Sequence, residues 1–592
     1  MTTRAVFSAP GGQDMKSNRQ SFIHGAAILA VSLIIVKILG LVFKIPLTNI
    51  LGGVGMGYYN TSFMLFSPIY SLAVGGLPAA VSKMIAENSV LGRYRDVRRI
   101  FRISMLFYLA TGIAGTALML GVSDFFVHAV KNPNAYWSVA AIAPTILFGC
   151  IISAYRGYFE GLCDMRPTAV SQVVEMVSKL AAGLGLAIWV MSYAQSQFEA
   201  TGFVFGTYVE EASQVGAAAV PYAAAASIIG VSISNLVGAL YLMIRYHHND
   251  SITDLERKAS PTPQGRRALF RQLVSIAFPI CLGGFVLNIT SFADLLSMMN
   301  RLNFLVREHA SELLAVYGSA IPADMALTDV PNYLYGCYTG LAVSIYGIIP
   351  AIAGVFAKSA LPNIASSWAR GNRDYTRRNM ELVIRITMLV SIPCGIGITV
   401  LAEPILSALF SSRPAEVYIA TPVLAIMGIG VIFQAGSMLL FSVLQALGYA
   451  KLPVKHMVIG GCVKLLFNMV LMSIPAVNVH GAALASVLCY VVILILELTA
   501  LVKITGMKFH YSSIFVRPLI ASILCGIAAA TAFSLCSRVC SIQLSLSTAI
   551  LAAAIFYLIT AVCLKAVEKS DFEMIPGGKK VAKVLEKMGL MR

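Results

Sequence analysis

About fourteen runs of roughly 20 or more predominantly apolar residues follow one another along this chain, the first from Phe22 to Leu51 and the last near 545–566. Each run is long enough to cross the hydrocarbon of a bilayer as a helix. A segment in hydrocarbon must satisfy its own backbone polar groups, so the pattern predicts an all-α polytopic membrane protein. Composition agrees: 58% of the 592 residues are hydrophobic and only 12% are charged, too apolar for a soluble core to absorb.

The net charge of +17 is collected in particular loops. RYRDVRR (93–99), ERKASPTPQGRR (256–267), ARGNRDYTRR (369–378), Lys451 with Lys455, and the Lys-rich C-terminus fall on one side. Residues 195–219, with Glu199, Glu210 and Glu211 but no Lys or Arg, fall on the other, with the acidic 303–332 segment and the uncharged 475–479 turn. The positive-inside rule places both termini in the cytoplasm and requires an even number of spans. It also accounts for the basic excess without nucleic acid. The eleven Cys lie mostly in apolar runs with no C-x-x-C pair and read as small hydrophobes, although a Cys536–Cys540 pairing stays open. The first apolar run is too long for a signal-peptide core and is expected to remain as a span; either Met1 or Met15 could be the start.

The chain repeats itself. LPAAVS (77–82) recurs as LPNIAS (361–366), RISML (102–106) as RITML (385–389), EGLCDMR (160–166) as QALGYAK (445–451), and Lys179–Leu180 as Lys464–Leu465. The offset stays at about 284 residues, in order along the chain. Six spans fit one period, so the expected layout has two parallel lobes with a cavity between them. The divisions are an N-terminal segment (1–21), a first lobe (22–250), a linker (251–271) and a second lobe (272–505). Two added spans (515–566) and a basic tail (567–592) follow. Within the tail, 577–592 reads either as an amphipathic helix on an anionic leaflet or as a solvated end.

Charges inside spans point to function, because each costs a few kcal/mol unless it has a partner or a water-filled cavity. Lys37 lies near the middle of the first span and is expected to line the cavity. Lys44, two turns on and on the same face, either joins it or snorkels to the interface. Glu175 and Lys179 are spaced i,i+4 and can neutralise each other. Lys464, the repeat mate of Lys179, has Gly460 and Gly461 one turn before it instead of an acid, which makes it the better ligand contact. Arg156 and Glu160 read as an interfacial pair, as do Glu381 and Arg385. Asp294 and Arg301 either gate a mouth of the cavity or cap a helix; Gln434, Gln445 and Asn468 supply polar lining or interhelical hydrogen bonds. GGVGMG (52–57) has no Lys-Ser/Thr after it and no strand before it, so it is a turn and not a phosphate loop. No Walker sequence, Ser/His/Asp set or H-E-x-x-H is present, and no metal or organic cofactor is expected.

A lysine-lined cavity favours an anion, and one open to lipid favours an anionic headgroup on a lipid tail. Moving negative charge out of a negative-inside cell gains about 2.3 kcal/mol per charge per 100 mV. The membrane potential, or a cation gradient, could therefore drive the movement.

Three stretches carry a family resemblance: VKILGLVFKIPLTNILG (36–52), GGLPAAVSKMIAE (75–87) and RGYFEGLCDMRPTAVSQVVE (156–175). Over about 20–570 the chain resembles the multidrug/oligosaccharidyl-lipid/polysaccharide exporter superfamily, in its stage V sporulation protein B and lipid II flippase-like branch. The resemblance implies two six-helix lobes in a V that open alternately. It also implies a lipid-linked glycan substrate, surrounding membrane lipids, cell-wall synthesis enzymes as partners, and a bacterial inner-membrane location. In lipid II flippases of this kind basic residues of the first lobe engage the diphosphate, and Lys37 falls at the position of the one in the first helix. Arginines that other members carry in the second and eighth spans have no counterpart in 57–82 or 333–357. A drug/cation antiporter of the same fold is expected to keep a carboxylate in the first span, where this chain has lysines. A membrane glycosyltransferase should carry a large external loop with catalytic carboxylates, and the external loops here are short. A non-transporting scaffold is the remaining alternative.

Overall fold

Gly52 reverses the chain. In a computed structural model, which describes residues 12–248, 260–323, 325–449, 451–507 and 509–567, helix α1 (Gly12–Val74) is two membrane passes joined through this one residue. Its φ of 62° and ψ of −172° belong to a region that only glycine enters freely. The two halves then run side by side. The rings of Phe43 and Tyr59 lie 6.5 Å apart, whereas sixteen residues of straight helix would separate them by about 24 Å.

The first lobe continues through α2 (Leu77–Val90), α3 (Tyr94–Ala129), α4 (Tyr136–Ile142), α5 (Pro144–Gly161), α6 (Arg166–Thr201) and α7 (Ala212–His248). Between α6 and α7 lies a two-residue hairpin, with Phe203 opposite Tyr208 and Val204 opposite Thr207. Phe205 and Gly206 turn it with φ of 47° and 87°, the positive pair that a tight hairpin needs. Helix α8 (Arg266–Glu308) opens the second half and is followed by the short α9 (Ala310–Tyr317). Next come α10 (Val330–Gly336), a π-helical stretch (Cys337–Ala342) and α11 (Val343–Tyr346). The half continues with α12 (Ile348–Ala369), α13 (Arg373–Val400), α14 (Ala402–Leu409), α15 (Pro414–Ala446), α16 (Lys451–Leu471) and α17 (Asn478–Thr505). Two more helices, α18 (Arg517–Cys536) and α19 (Ile542–Cys563), close the described chain.

Twelve helical segments among the described residues are long and apolar enough to cross a membrane. The expected fourteen passes reconcile with this number in two steps. The segment Val31–Val90 holds two passes across the Gly52 reversal. Helix α8, 43 residues long and apolar over 273–290, supplies the remaining pass. The fold is therefore the all-helical polytopic one read from the sequence.

Helix α8 touches both halves. Toward its start it packs on the first lobe: Gly76 N–H reaches Cys281 Sγ at 3.2 Å, and Asn288 Nδ2 donates to Ser71 Oγ at 2.7 Å. Further along it turns to α16, to which Asp294, Ser297 and, through Met469, Arg301 bind. All eleven cysteines, Cys536 and Cys540 included, are free thiols. The amphipathic stretch 577–592 lies outside the described residues, as do 1–11 and 251–259 of the 251–271 linker, whose last residues are already in α8.

Candidate functional site

The hairpin of α1 faces the second half of the molecule, and glycine sets how closely. Gly53 and Gly57 lie one turn apart on α1; Gly336 and Gly340 lie one turn apart across from them. A Cβ on Gly336 would overlap the carbonyl of Gly53, one on Gly57 would overlap Asn332, and one on Gly53 would come within 2.8 Å of the Tyr333 ring. Two small-xxx-small ridges thus let the backbones meet directly. The spacing was present in GGVGMG and was read only as a turn.

Polar groups lock this contact. Arg413 donates to the carbonyl of Asn49 from Nε at 3.1 Å and Nη2 at 3.0 Å, and to that of Ile50 at 3.1 Å. Reversal at Gly52 deprives these carbonyls of helical partners. Glu416, 3.8 Å from Arg413, accepts the N–H of Gly53 at 3.4 Å. Asn332 donates to Val54 O at 2.9 Å and accepts from Asn132 at 2.7 Å. Sequence reading missed Arg413 and Glu416 because their partners are backbone atoms some 363 residues away.

One to two turns below lies the basic part of the site. Lys44 Nζ donates to the carbonyl of Thr339 at 3.3 Å, inside the π-helical stretch where the shifted register alters which carbonyls are taken. It therefore reaches across to the second half instead of snorkelling. Asn60 on the returning strand of the hairpin binds the Thr339 hydroxyl at 3.1 Å. Lys179 lies over the faces of Phe43 at 4.8 Å and Phe63 at 5.6 Å, a cation–π seat. Lys44 and Lys179 are close enough for their charges to act on each other. Lys37 is exposed, about 10 Å from Lys44 along the same face, and has no hydrogen-bond or ion-pair partner among the described residues.

Four sequence expectations change here. Glu175 does not neutralise Lys179: it pairs with Arg156, Oε1 to Nη2 at 2.5 Å, and Ser171 Oγ accepts from the same guanidinium. Packing of α5 on α6 brings Glu175 to the Arg156 guanidinium, and this contact takes the place of the i,i+4 one. For the same reason Arg156 is not within ion-pair distance of Glu160 among the described residues, although its charge still acts there. Lys464 is not a free ligand contact, since its Nζ lies 2.6 Å from Asp294 Oδ2, and Asn468 donates to Asp294 Oδ1 at 2.6 Å and to Ser297 at 3.1 Å. Asp294 and Arg301 have separate partners on α16 and the turn that follows it. Arg301 binds Ser473 Oγ at 3.3 Å and Met469 Sδ at 3.2 Å, so the two residues stitch α8 to α16. Glu381 is held by Arg377 and His510, at 3.8 and 2.9 Å, and Arg385 is buried one turn along the same helix. Gln434 makes an interhelical hydrogen bond to Tyr490 at 2.9 Å.

The charges of the two halves differ. Around the first-lobe site, Lys37, Lys44 and Lys179 lack a carboxylate partner among the described residues, and only Arg156 has one. The equivalent pair in the second half is internally neutral. Among the described residues no cluster of His, Cys, Asp and Glu could hold a metal ion.

The model of the family described as polysaccharide biosynthesis protein matches residues 22–368. The chain belongs to the polysaccharide biosynthesis protein family. A model described as lipid II flippase MurJ matches residues 337–554, overlapping the first over 337–368. Among curated relatives, stage V sporulation protein B of Bacillus subtilis is 23% identical over 94% of this chain and 98% of its own length. Lipid II flippase MurJ of the same organism is 23% identical over 79% of this chain and 80% of its own. Among solved structures, an inward closed lipid II flippase MurJ superposes with a TM-score of 0.58 at 15% identity, covering 90% of this chain and 98% of that one. An inward-facing multidrug MATE transporter gives 0.55 at 15% identity, over 81% and 98%. The fold is thus the one those MurJ and MATE structures share, and the chain is a multi-pass membrane protein.

Proposed function

We propose that the chain flips an undecaprenyl-pyrophosphate-linked envelope precursor, with lipid II as the first candidate, by alternating access between its two halves. The observation that carries this reading is the uncompensated pair Lys44 and Lys179 with Lys37 beside it. Two facing ammonium groups in a membrane repel each other, and a diphosphate between them turns that repulsion into attraction. Lys37, exposed below them, meets the headgroup first; Lys44 lets go of Thr339 to follow it. Arg156, held by Glu175, shapes the field without being spent on the ligand.

The Gly53/Gly336 contact and the Arg413–Glu416 lock close one end of the route, and releasing them lets the headgroup leave. The basic loops support placing both termini in the cytoplasm of a bacterial cell, so that the locked end is the outer one. The membrane potential then favours outward movement of the diphosphate. A neutral or cationic drug gains nothing from these lysines.

The test is reconstitution. Proteoliposomes holding the purified chain are loaded with labelled lipid II, and its arrival in the outer leaflet is followed. Transport that depends on the protein, and on the diphosphate when compared with an uncharged prenyl glycan, supports the reading. Equal movement of both lipids, or of neither, contradicts it.

A further inference from the structure

A second basic surface lies away from the lysine route, where α3 and α8 begin. The chain ahead of α8 is clasped to α3: Gln264 N–H donates to Asp96 Oδ1 at 2.8 Å, and Arg99 Nη1 donates to the carbonyl of Gln264 at 2.5 Å. About two turns further on, the rings of Phe107 and Phe270 meet edge to face at 5.4 Å. Arg102 falls between the two contacts on α3 and Arg267 falls between them on α8, so the two arginines stand at the same height.

They also share a flank. On α3 the exposed residues Arg102, Leu106, Leu109 and Ile113 recur at helical spacing, away from the buried Ser104 and Tyr108. On α8 the exposed Arg267, Arg271, Phe278 and Leu282 do the same, away from the buried Leu269 and Leu273. Exposed apolar residues of a membrane-crossing segment face lipid, and each stripe ends in arginine on the side of the basic loops. The positive-inside rule asks for basic residues in the loops, not on the lipid-facing flank of two converging helices.

Arg102, Arg267 and Arg271 have no hydrogen-bond or ion-pair partner among the described residues. Asp96 is the only acid in 93–102 and 260–271; it is buried and taken by Gln264. The clasp thus removes the local counter-ion and leaves three guanidiniums at the rim of an apolar wall. Guanidiniums bind phosphate oxygens in bidentate pairs. A phosphodiester headgroup offers a single negative charge and satisfies one of them. A diphosphate gathers more charge on neighbouring oxygens and engages several at once, while its prenyl chain follows the exposed Leu106 and Phe270 into the bilayer.

We propose that this seam captures the prenyl-diphosphate headgroup in its starting leaflet, before the route takes it. The proposal rests on the functional reading above and adds a loading site to it. Along α8, Arg271 lies about 25 Å before Asn288, which is bonded to Ser71 of the α1 hairpin, so the seam is a site apart from the lysines.

The experiment is native mass spectrometry of the purified full chain with equimolar undecaprenyl pyrophosphate and phosphatidylglycerol. Two variants separate the sites: Lys37→Gln with Lys44→Gln and Lys179→Gln empties the route, and Arg102→Gln with Arg267→Gln and Arg271→Gln empties the seam. The route variant should still retain the diphosphate lipid, favoured over phosphatidylglycerol by about tenfold, the scale of one added charged contact to phosphate. Adding the seam substitutions to it should remove that preference. The seam arginines are exposed, so the seam variant should keep the unfolding midpoint of the parent, measured in parallel. In lipid II transport the seam variant should need about tenfold more substrate for its half-maximal rate, with the maximal rate unchanged. Equal retention of the two lipids by the route variant, or a preference that survives the seam substitutions, overturns the assignment. Retention at the seam by a chain that moves no lipid II would count against the functional reading alone.

Discussion

The guanidinium of Arg413 and the main-chain carbonyl of Asn49, 3.0 Å apart, hold together the two halves of the molecule where α1 reverses. Glu416 completes the clamp from the same helix turn by taking the N–H of Gly53. Arg413→Ala leaves two carbonyls and a carboxylate without their partner. Charged hydrogen bonds of this kind contribute about 1.5–3 kcal/mol each, so the closed end should lose about tenfold or more in population. Cysteine pairs placed across 49 and 412 should cross-link more slowly in Arg413→Ala than in the parent. An unchanged rate would mean that the glycine contact alone closes this end.

The glycine contact makes its own prediction. Gly336→Ala places a methyl where the Gly53 carbonyl stands, and the backbone there cannot yield as a side chain would. Overpacking costs about 1–3 kcal/mol, and separating the halves relieves it. The variant should favour the state open at this end, read as raised accessibility of a cysteine at position 56 to a membrane-impermeant thiol reagent. Gly347→Ala, at a helix start with ordinary contact distances, serves as the neutral comparison.

Lys464 and Asp294 should behave as one unit. Their side chains are 20% and 16% exposed, so removing either charge leaves the other poorly solvated, at a cost of about 2–3 kcal/mol, somewhat below the value for a fully buried pair. Lys464→Met with Asp294→Asn should recover most of the loss. Thermal unfolding in detergent of the two single variants and the double one completes the cycle; additive losses would show that the pair is not coupled.

Glu497 is buried, and both its carboxylate oxygens lack a hydrogen-bond partner among the described residues. An unpartnered buried polar group costs about 1–3 kcal/mol. Glu497→Met, similar in volume and apolar, should raise the unfolding temperature, and a lowered one would point to a partner that forms in another conformation of the transporter.

What the sequence made legible followed local rules. Apolar run length identified the passes, including the one ending at GGVGMG, because hydrocarbon thickness acts on each segment alone. Lys37 and Lys44 were recognisable as anomalies for the same reason. Pairings between distant helices were not legible. Arg156 sits one turn from Glu160, and Lys179 one turn from Glu175, so sequence spacing suggested two local pairs. Packing of α5 on α6 instead joined Arg156 to Glu175 and left Lys179 over two aromatic rings. The acid that claims Lys464 is 170 residues away. Arg413 answers to backbone carbonyls, which carry no residue-specific signature at all.

The central claim is that the first-lobe lysines seat a diphosphate, and Lys179 tests it most directly because among the described residues it has neither a carboxylate nor a lobe-crossing hydrogen bond to explain its presence. In a bacterium depleted of its lipid II flippase, the parent chain, Lys179→Arg and Lys179→Gln are expressed to equal levels, and labelled lipid II reaching the outer leaflet is measured. The account predicts transport by the parent, substantial retention in Lys179→Arg, and a loss of about tenfold or more in Lys179→Gln, the scale of one charged contact to phosphate. Transport by Lys179→Gln equal to the parent's would contradict it.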